Sequence, residues 1–234
     1  MPAFGVIFDA DGVVLDSERQ SLAALRQAVS ALTGDRVVLS DDLLPFVCGR
    51  GDDAILQWLK DKRGIDVNPA EFRNYKIGCY TRIIAQNPIA VAPGAMSLLD
   101  ELDANRVPYA IATGAIRAKI ALSLSTVGLY DRFRVIVSVD EVRAGKPEPE
   151  IFLLAAKRLG LPPDRLIDFE DTISGVEAAN RAGTFCVAIA GTFEREHLGG
   201  ARRVIGSLSE VNLSVLRQWI DSHWQIASPD GAVQ

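Results

Sequence analysis

Residues 4–18 read FGVIFDADGVVLDSE, a five-residue apolar run that ends on a carboxylate and opens into a polar loop. An unbroken apolar run of this length is what a strand buried on both faces needs. From about residue 94 onward, helical patterns alternate with short apolar runs at 109–112, 135–137, 166–169, 185–189 and 203–205. Such alternation predicts a parallel sheet covered by helices on both faces. Between the two regions, over about residues 17–86, the spacing is helical: SLAALRQAVSAL, then DDAILQWLKDKRG closing on a glycine, then PAEFRNYKIGCYTRIIAQN opening on a proline. The expected architecture is therefore α/β, a doubly wound Rossmann-like parallel sheet core from residues 1–15 and 90–234 with a small all-helical domain, residues 16–89, inserted after the first strand. A last helix is expected near residues 209–219, and hinges near 14–18 and 87–92.

The chain's 234 residues can bury a full core. A formal net charge of −5 without a block of like charge makes nucleic acid an unexpected partner. No basic, apolar leader precedes the first strand and no apolar stretch reaches the roughly 18–20 residues of a membrane span, so a cytoplasmic monomer without membrane contact is expected. The three cysteines, Cys48, Cys79 and Cys186, are odd in number and form no CxxC pair, which predicts buried thiols rather than disulfides or a zinc site. His197 and His223 lie outside every motif and are expected at the surface.

In open parallel sheets ligands gather outside the C-terminal ends of the strands. There this chain repeatedly offers chemistry-bearing residues. Asp9 and Asp11 are two apart at the first strand end, a spacing that sends both side chains the same way. Two carboxylates so close imply either a bound metal or one carboxyl held protonated. Glu170 and Asp171 follow the 166–169 run, and oxygen donors without nearby His or Cys point to magnesium rather than zinc. Lys146, in a loop held by Pro147 and Pro149, supplies a cation for Asp9 and for a transferring group. Thr113, Gly114 and a helix starting near Ala115 offer a hydroxyl, a close backbone approach and amide donors, together a phosphate cradle. Each piece alone has an ordinary reading, as a helix cap, a turn or a solvated lysine. Four of them in order at separate strand ends on one side of the sheet point to catalysis.

FDADGVVLDSE, YAIATG, GKPEPEIF and FEDTISGVEAANRAG resemble the four ordered motifs of the haloacid dehalogenase superfamily of phosphatases and phosphomutases. The helical insert resembles its small helical cap. The resemblance implies that Asp9 is a covalent nucleophile and Asp11 the general acid and base. It makes Thr113, Gly114 and Lys146 phosphate-binding groups, and Asp9, Glu170, Asp171 and the Asp11 backbone carbonyl ligands of Mg2+. It further implies hydrolysis of a small phosphorylated metabolite, a sugar phosphate, through an aspartyl-phosphate. The alternatives are a β-phosphoglucomutase-like transfer and a non-catalytic binding protein on the same fold. Specificity would lie in the cap, where Glu18, Arg19, Arg50 in the GRGDD turn, Lys76 and Tyr80 are the candidates, with Arg50 and Lys76 the proposed substrate contacts.

Overall fold

A computed structural model of the protein describes residues 4–39 and 51–227, the side chains of 224–227 apart. Six strands, β1 (Gly5–Phe8), β4 (Tyr109–Thr113), β5 (Ile136–Ser138), β6 (Leu166–Glu170), β7 (Phe185–Ile189) and β8 (Arg203–Ile205), form one parallel sheet in the order β5-β4-β1-β6-β7-β8. The chain enters at β1, builds outward to β5, then returns to the other side of β1 for β6 to β8. That reversal leaves a crevice at the strands' C-terminal ends, where ligands of doubly wound sheets bind.

Every residue of β1, β4, β6 and β7 is buried, as the apolar runs require. Alternation along β1 divides the core. Val6 and Phe8 join the cluster with α4 (Ala95–Ala104), α5 (Arg117–Thr126) and α8 (Leu213–Ala227), whereas Ile7 joins the cluster with α6 (Glu150–Leu159) and α7 (Ile173–Ala182). Each fully buried side chain of this size is worth about 1.5–3 kcal/mol.

After β1 the chain forms α1 (Glu18–Thr33), α2 (Asp52–Arg63) and α3 (Pro69–Gln86). Asn68 caps α3 by accepting from the Ala70 and Glu71 amides at 2.9 and 3.1 Å, ahead of Pro69 in the first turn. These helices share a cluster of their own built on Val29, Ile55, Leu59 and Phe72. It is not sealed off from the sheet: Ala24 of α1 and Cys79, Tyr80 and Ile84 of α3 belong to the cluster under β1.

Three features differ from the sequence expectation. Leu15–Asp16 and Ala90–Val91 pair as antiparallel strands β2 and β3, a two-stranded ribbon where both connections between sheet and helical insert cross. Two residues show no periodicity, so the sequence read them as loop and linker. The last helix begins at Leu213, because Ser207 and Glu210 close a separate 3-10 turn over Leu208–Glu210 and Asn212 accepts from the Val215 amide at 3.0 Å. His223 is buried against the Phe185 ring, 5.5 Å between centroids, and burial depresses its pKa. His197 is exposed, and Cys79 and Cys186 are buried free thiols, while Cys48 lies outside the described residues.

Candidate active site

Asp9 follows β1, Thr113 closes β4, and Glu170 ends β6 with Asp171 after it, so strand pairing alone brings these side chains to one edge. Lys146, 3% exposed, comes in from the loop before α6. Its Nζ lies 2.5 Å from Asp9 Oδ1 and 3.1 Å from the Ala112 carbonyl, and it also donates to Glu170 Oε1. One ammonium thus faces two buried carboxyls. Burial pushes Asp9 up to about 7, with Glu170 and Asp11 adding to the rise and Lys146 opposing it. Burial also works against the charge on Lys146, but Asp9 and Glu170 hold it protonated with a raised pKa.

Glu170 is engaged through both oxygens. Its Oε2 accepts from the Asp171 amide at 3.2 Å, the Thr172 amide at 3.4 Å and the Thr172 hydroxyl at 3.1 Å. A Cβ on Gly175 would fall 1.9 Å from that oxygen, so the first turn of α7 must carry a glycine there. Glu170 therefore anchors both Lys146 and the start of α7.

Asp171 is different. Thr192, after β7, donates to its Oδ2, and among the described residues its buried Oδ1 has no hydrogen-bond partner. Burial first, then the negative charges of Glu18 and Asp9, raises its pKa well above the usual carboxylate range. Gly12, at φ 78°, packs so closely that a Cβ would sit 2.0 Å from Asp171 Oδ2. A buried, unsatisfied carboxylate oxygen beside other acids is a place where a hard cation fits. Among the described residues, no three Asp, Glu, His or Cys side chains are already drawn together as a cage.

Asp11 lines the same cavity with partners of its own. Its Oδ1 accepts from Ser17 and, at 3.4 Å, from Ser21, while its Oδ2 lies 2.5 Å from Lys119 Nζ. Burial would raise its pKa, but Lys119 and Ser17 outweigh burial and hold it below the ordinary value. Glu18, next to this group, is pushed up to about 7 by burial and by Asp11.

A cavity of about 120 Å³ lies over these residues, with Asp9, Asp11, Thr113, Gly114, Lys119 and Asp171 on its sheet side. The helical insert closes it with Glu18, Leu22, Ile55, Lys76 and Tyr80. Lys76 faces the cavity but is ion-paired to Asp52 across α2 and α3. Arg19 is exposed, and Arg50 lies outside the described residues. The expected cradle is shifted: α5 starts at Arg117, whose amide is taken by Asp140 at 3.1 Å, and the Ala115 amide donates to Thr113 Oγ1 at 3.1 Å. Ser17, Lys119 and Thr192 went unread in the sequence. The signal for Lys119 was a lysine four residues before Ser123 on the helix face that also carries Ile120 and Leu124.

The family model for haloacid dehalogenase-like hydrolases matches residues 6–189. The chain belongs to that family. Among curated relatives of the chain, validoxylamine A 7'-phosphate phosphatase from Streptomyces hygroscopicus subsp. limoneus is 34% identical over 58% of the chain and 64% of its own length. The bifunctional riboflavin kinase/FMN phosphatase of Arabidopsis thaliana is 32% identical over 82% of the chain and 57% of its own length. The chain thus spans less than two thirds of each. Among solved structures, CbbY from Rhodobacter sphaeroides in complex with phosphate superposes with a TM-score of 0.83 at 25% identity, covering 92% of this chain and 100% of that one.

Proposed function

We propose that this hydrolase is a magnesium-dependent phosphatase of a small phosphorylated metabolite, a sugar phosphate, that works through an aspartyl-phosphate on Asp9. The observation that carries the reading is Lys146 bonded to both Asp9 and Glu170 at an edge where Thr113 and Asp171 also converge. A lysine so placed aligns a carboxylate nucleophile and faces the oxygens of an incoming phosphoryl group.

With Oδ1 held by Lys146, Oδ2 of Asp9 is the oxygen assigned to attack. As the Asp9 oxygen–phosphorus bond forms in line, the ester phosphorus–oxygen bond breaks and Asp11, carried to its protonated form when the substrate's negative charge offsets Lys119, protonates the departing oxygen. In the second half-reaction Asp11 takes a proton from water, the water oxygen bonds to phosphorus, and Asp9 and inorganic phosphate are released. Thr113 and Gly114 line the phosphoryl pocket. Asp9, Asp171 and the Asp11 backbone carbonyl, with Glu170 beside them, would hold the magnesium ion. When bound, that ion supplies the charge that keeps Asp9 ionised and offsets the substrate's phosphate oxygens. Residues 16–89 act as the cap that excludes bulk water, moving about the β2–β3 ribbon. The protein works as a cytoplasmic monomer.

Magnesium-dependent hydrolysis of p-nitrophenyl phosphate that disappears in Asp9→Asn tests the reading; no turnover across a broad panel of phosphate esters would sink it. The phosphomutase alternative uses the same groups. It is separated by β-glucose 1-phosphate: stoichiometric free phosphate supports the phosphatase, and glucose 6-phosphate with little free phosphate supports the mutase.

A further inference from the structure

Lys119 stands outside every motif, yet among the described residues its ammonium is the cation paired with Asp11. It leaves α5 on the buried face and is 7% exposed. Burying an ion pair is a poor source of stability, because desolvation offsets most of the attraction, so stability alone is a weak reason for its presence.

The donors around Asp11 can be counted. Ser17 and Ser21 both donate to Oδ1, and Lys119 donates to Oδ2 at 2.5 Å. A carboxylate has about four acceptor sites, two on each oxygen. Among the described residues three are occupied, and the fourth is the second lone pair of Oδ2, beside Lys119. The ammonium is held in turn. The Tyr80 ring of α3 lies 4.9 Å from Nζ, and the Tyr80 hydroxyl is 2.9 Å from Ser123 Oγ, one turn along α5 from Lys119. Ser123 also donates to the Lys119 carbonyl at 2.9 Å. An insert helix, a sheet-side helix and Asp11 thus form one chain of contacts.

We infer that Lys119 is the positioning residue of Asp11, fixing the carboxyl so that the free site on Oδ2 carries the proton exchanged with substrate and water. The inference rests on the phosphatase reading above. In the first half-reaction the proton passes from Oδ2 to the departing ester oxygen as its bond to phosphorus breaks. In the second, a water proton returns to Oδ2. Lys119 keeps its own protons throughout and touches neither phosphorus nor the leaving group.

This role confines the effect of Lys119 to esters whose leaving oxygen needs a proton. An acidic phenol departs as the anion, whereas an alkyl alcohol does not. The value of kcat/KM reports the steps up to the aspartyl-phosphate, so it isolates the acid step. In magnesium buffer, Lys119→Met is expected to lower kcat/KM for β-glycerophosphate by about 100-fold and for p-nitrophenyl phosphate by less than about 5-fold, as loss of alignment in general acid catalysis does. Lys119→Arg keeps the cation and is expected to recover about tenfold of the β-glycerophosphate loss. Equal losses on both esters, or an unchanged rate on β-glycerophosphate, overturn the assignment. Should Lys119→Met fail to fold, Lys119→Arg decides alone: a deficit confined to the alkyl ester supports it, and an equal deficit overturns it. A wild type inactive on both esters removes the phosphatase reading and this inference with it, whereas an active wild type with unselective variants removes this inference alone.

Discussion

Asp9 and Asp168 are both buried carboxyls of adjacent segments, and their neighbours give them opposite tasks. Asp9 has Lys146 against Oδ1 at 2.5 Å, so it can be ionised where it lies. Asp9→Asn keeps the shape and removes the nucleophile; turnover of p-nitrophenyl phosphate is expected to fall by at least about a thousandfold with the melting temperature nearly unchanged. Among the described residues Asp168, on β6, has only the Thr184 hydroxyl, at 2.6 Å from Oδ2, and its Oδ1 has no partner. Burial pushes it up to about 8 from 3.8. The folded state therefore keeps a proton that the unfolded chain loses near pH 4, and the sign follows: stability from this group is complete at low pH and declines as pH rises toward 8. Asp168→Asn cannot ionise. Its stability is expected to decline less between pH 5 and pH 8 than the wild type's, by about 1–3 kcal/mol, since one unit of displacement is worth about 1.4 kcal/mol. Thermal melts over that range check it, and parallel curves would remove Asp168 as the cause.

At the scale of elements, the turn after β1 shows how local geometry sets the site. Gly12 has φ 78°, and a Cβ there would strike Asp171 Oδ2 at 2.0 Å. Gly12→Ala is expected to cost about 1–3 kcal/mol through the strained backbone and to cut turnover at least about tenfold by displacing Asp171. A melt and a p-nitrophenyl phosphate assay read the two effects separately. The strands were legible because a buried parallel strand is an apolar run, and Asp9, Thr113, Lys146, Glu170 and Asp171 were legible because each sits just beyond such a run or in a proline-held loop. Lys119 was not, since 108 residues separate it from Asp11 and only the packing of α5 brings them together. Thr192 reaches Asp171 across the same kind of gap, and β2 and β3 are too short to show a period. What the sequence hides is pairing between distant elements; what it displays is the end of each element.

For the molecule as a whole, the balance of charge at the strand ends is the controlling quantity. Among the described residues Asp9, Asp11, Glu170 and Asp171 form ion pairs with two ammonium groups, Lys146 and Lys119, and both are already engaged with carboxyls. Asp171, with one buried oxygen unpartnered, is left to hold its proton or to find a cation. A ligand that binds only the folded state stabilises it by RT ln(1 + [L]/Kd), about 2.7 kcal/mol at a hundredfold excess over Kd. Magnesium is therefore expected to raise the melting temperature of the wild type by several degrees, in the absence of any substrate. Asp171→Asn removes the ligand charge but also the buried acid. Its melting temperature without metal is expected to equal or exceed that of the wild type, while the magnesium-dependent rise is lost. A rise that survives in Asp171→Asn would place the ion elsewhere. A variant that simply damaged the fold would melt lower with and without the metal, so the pair of melts separates a lost ligand from a lost structure.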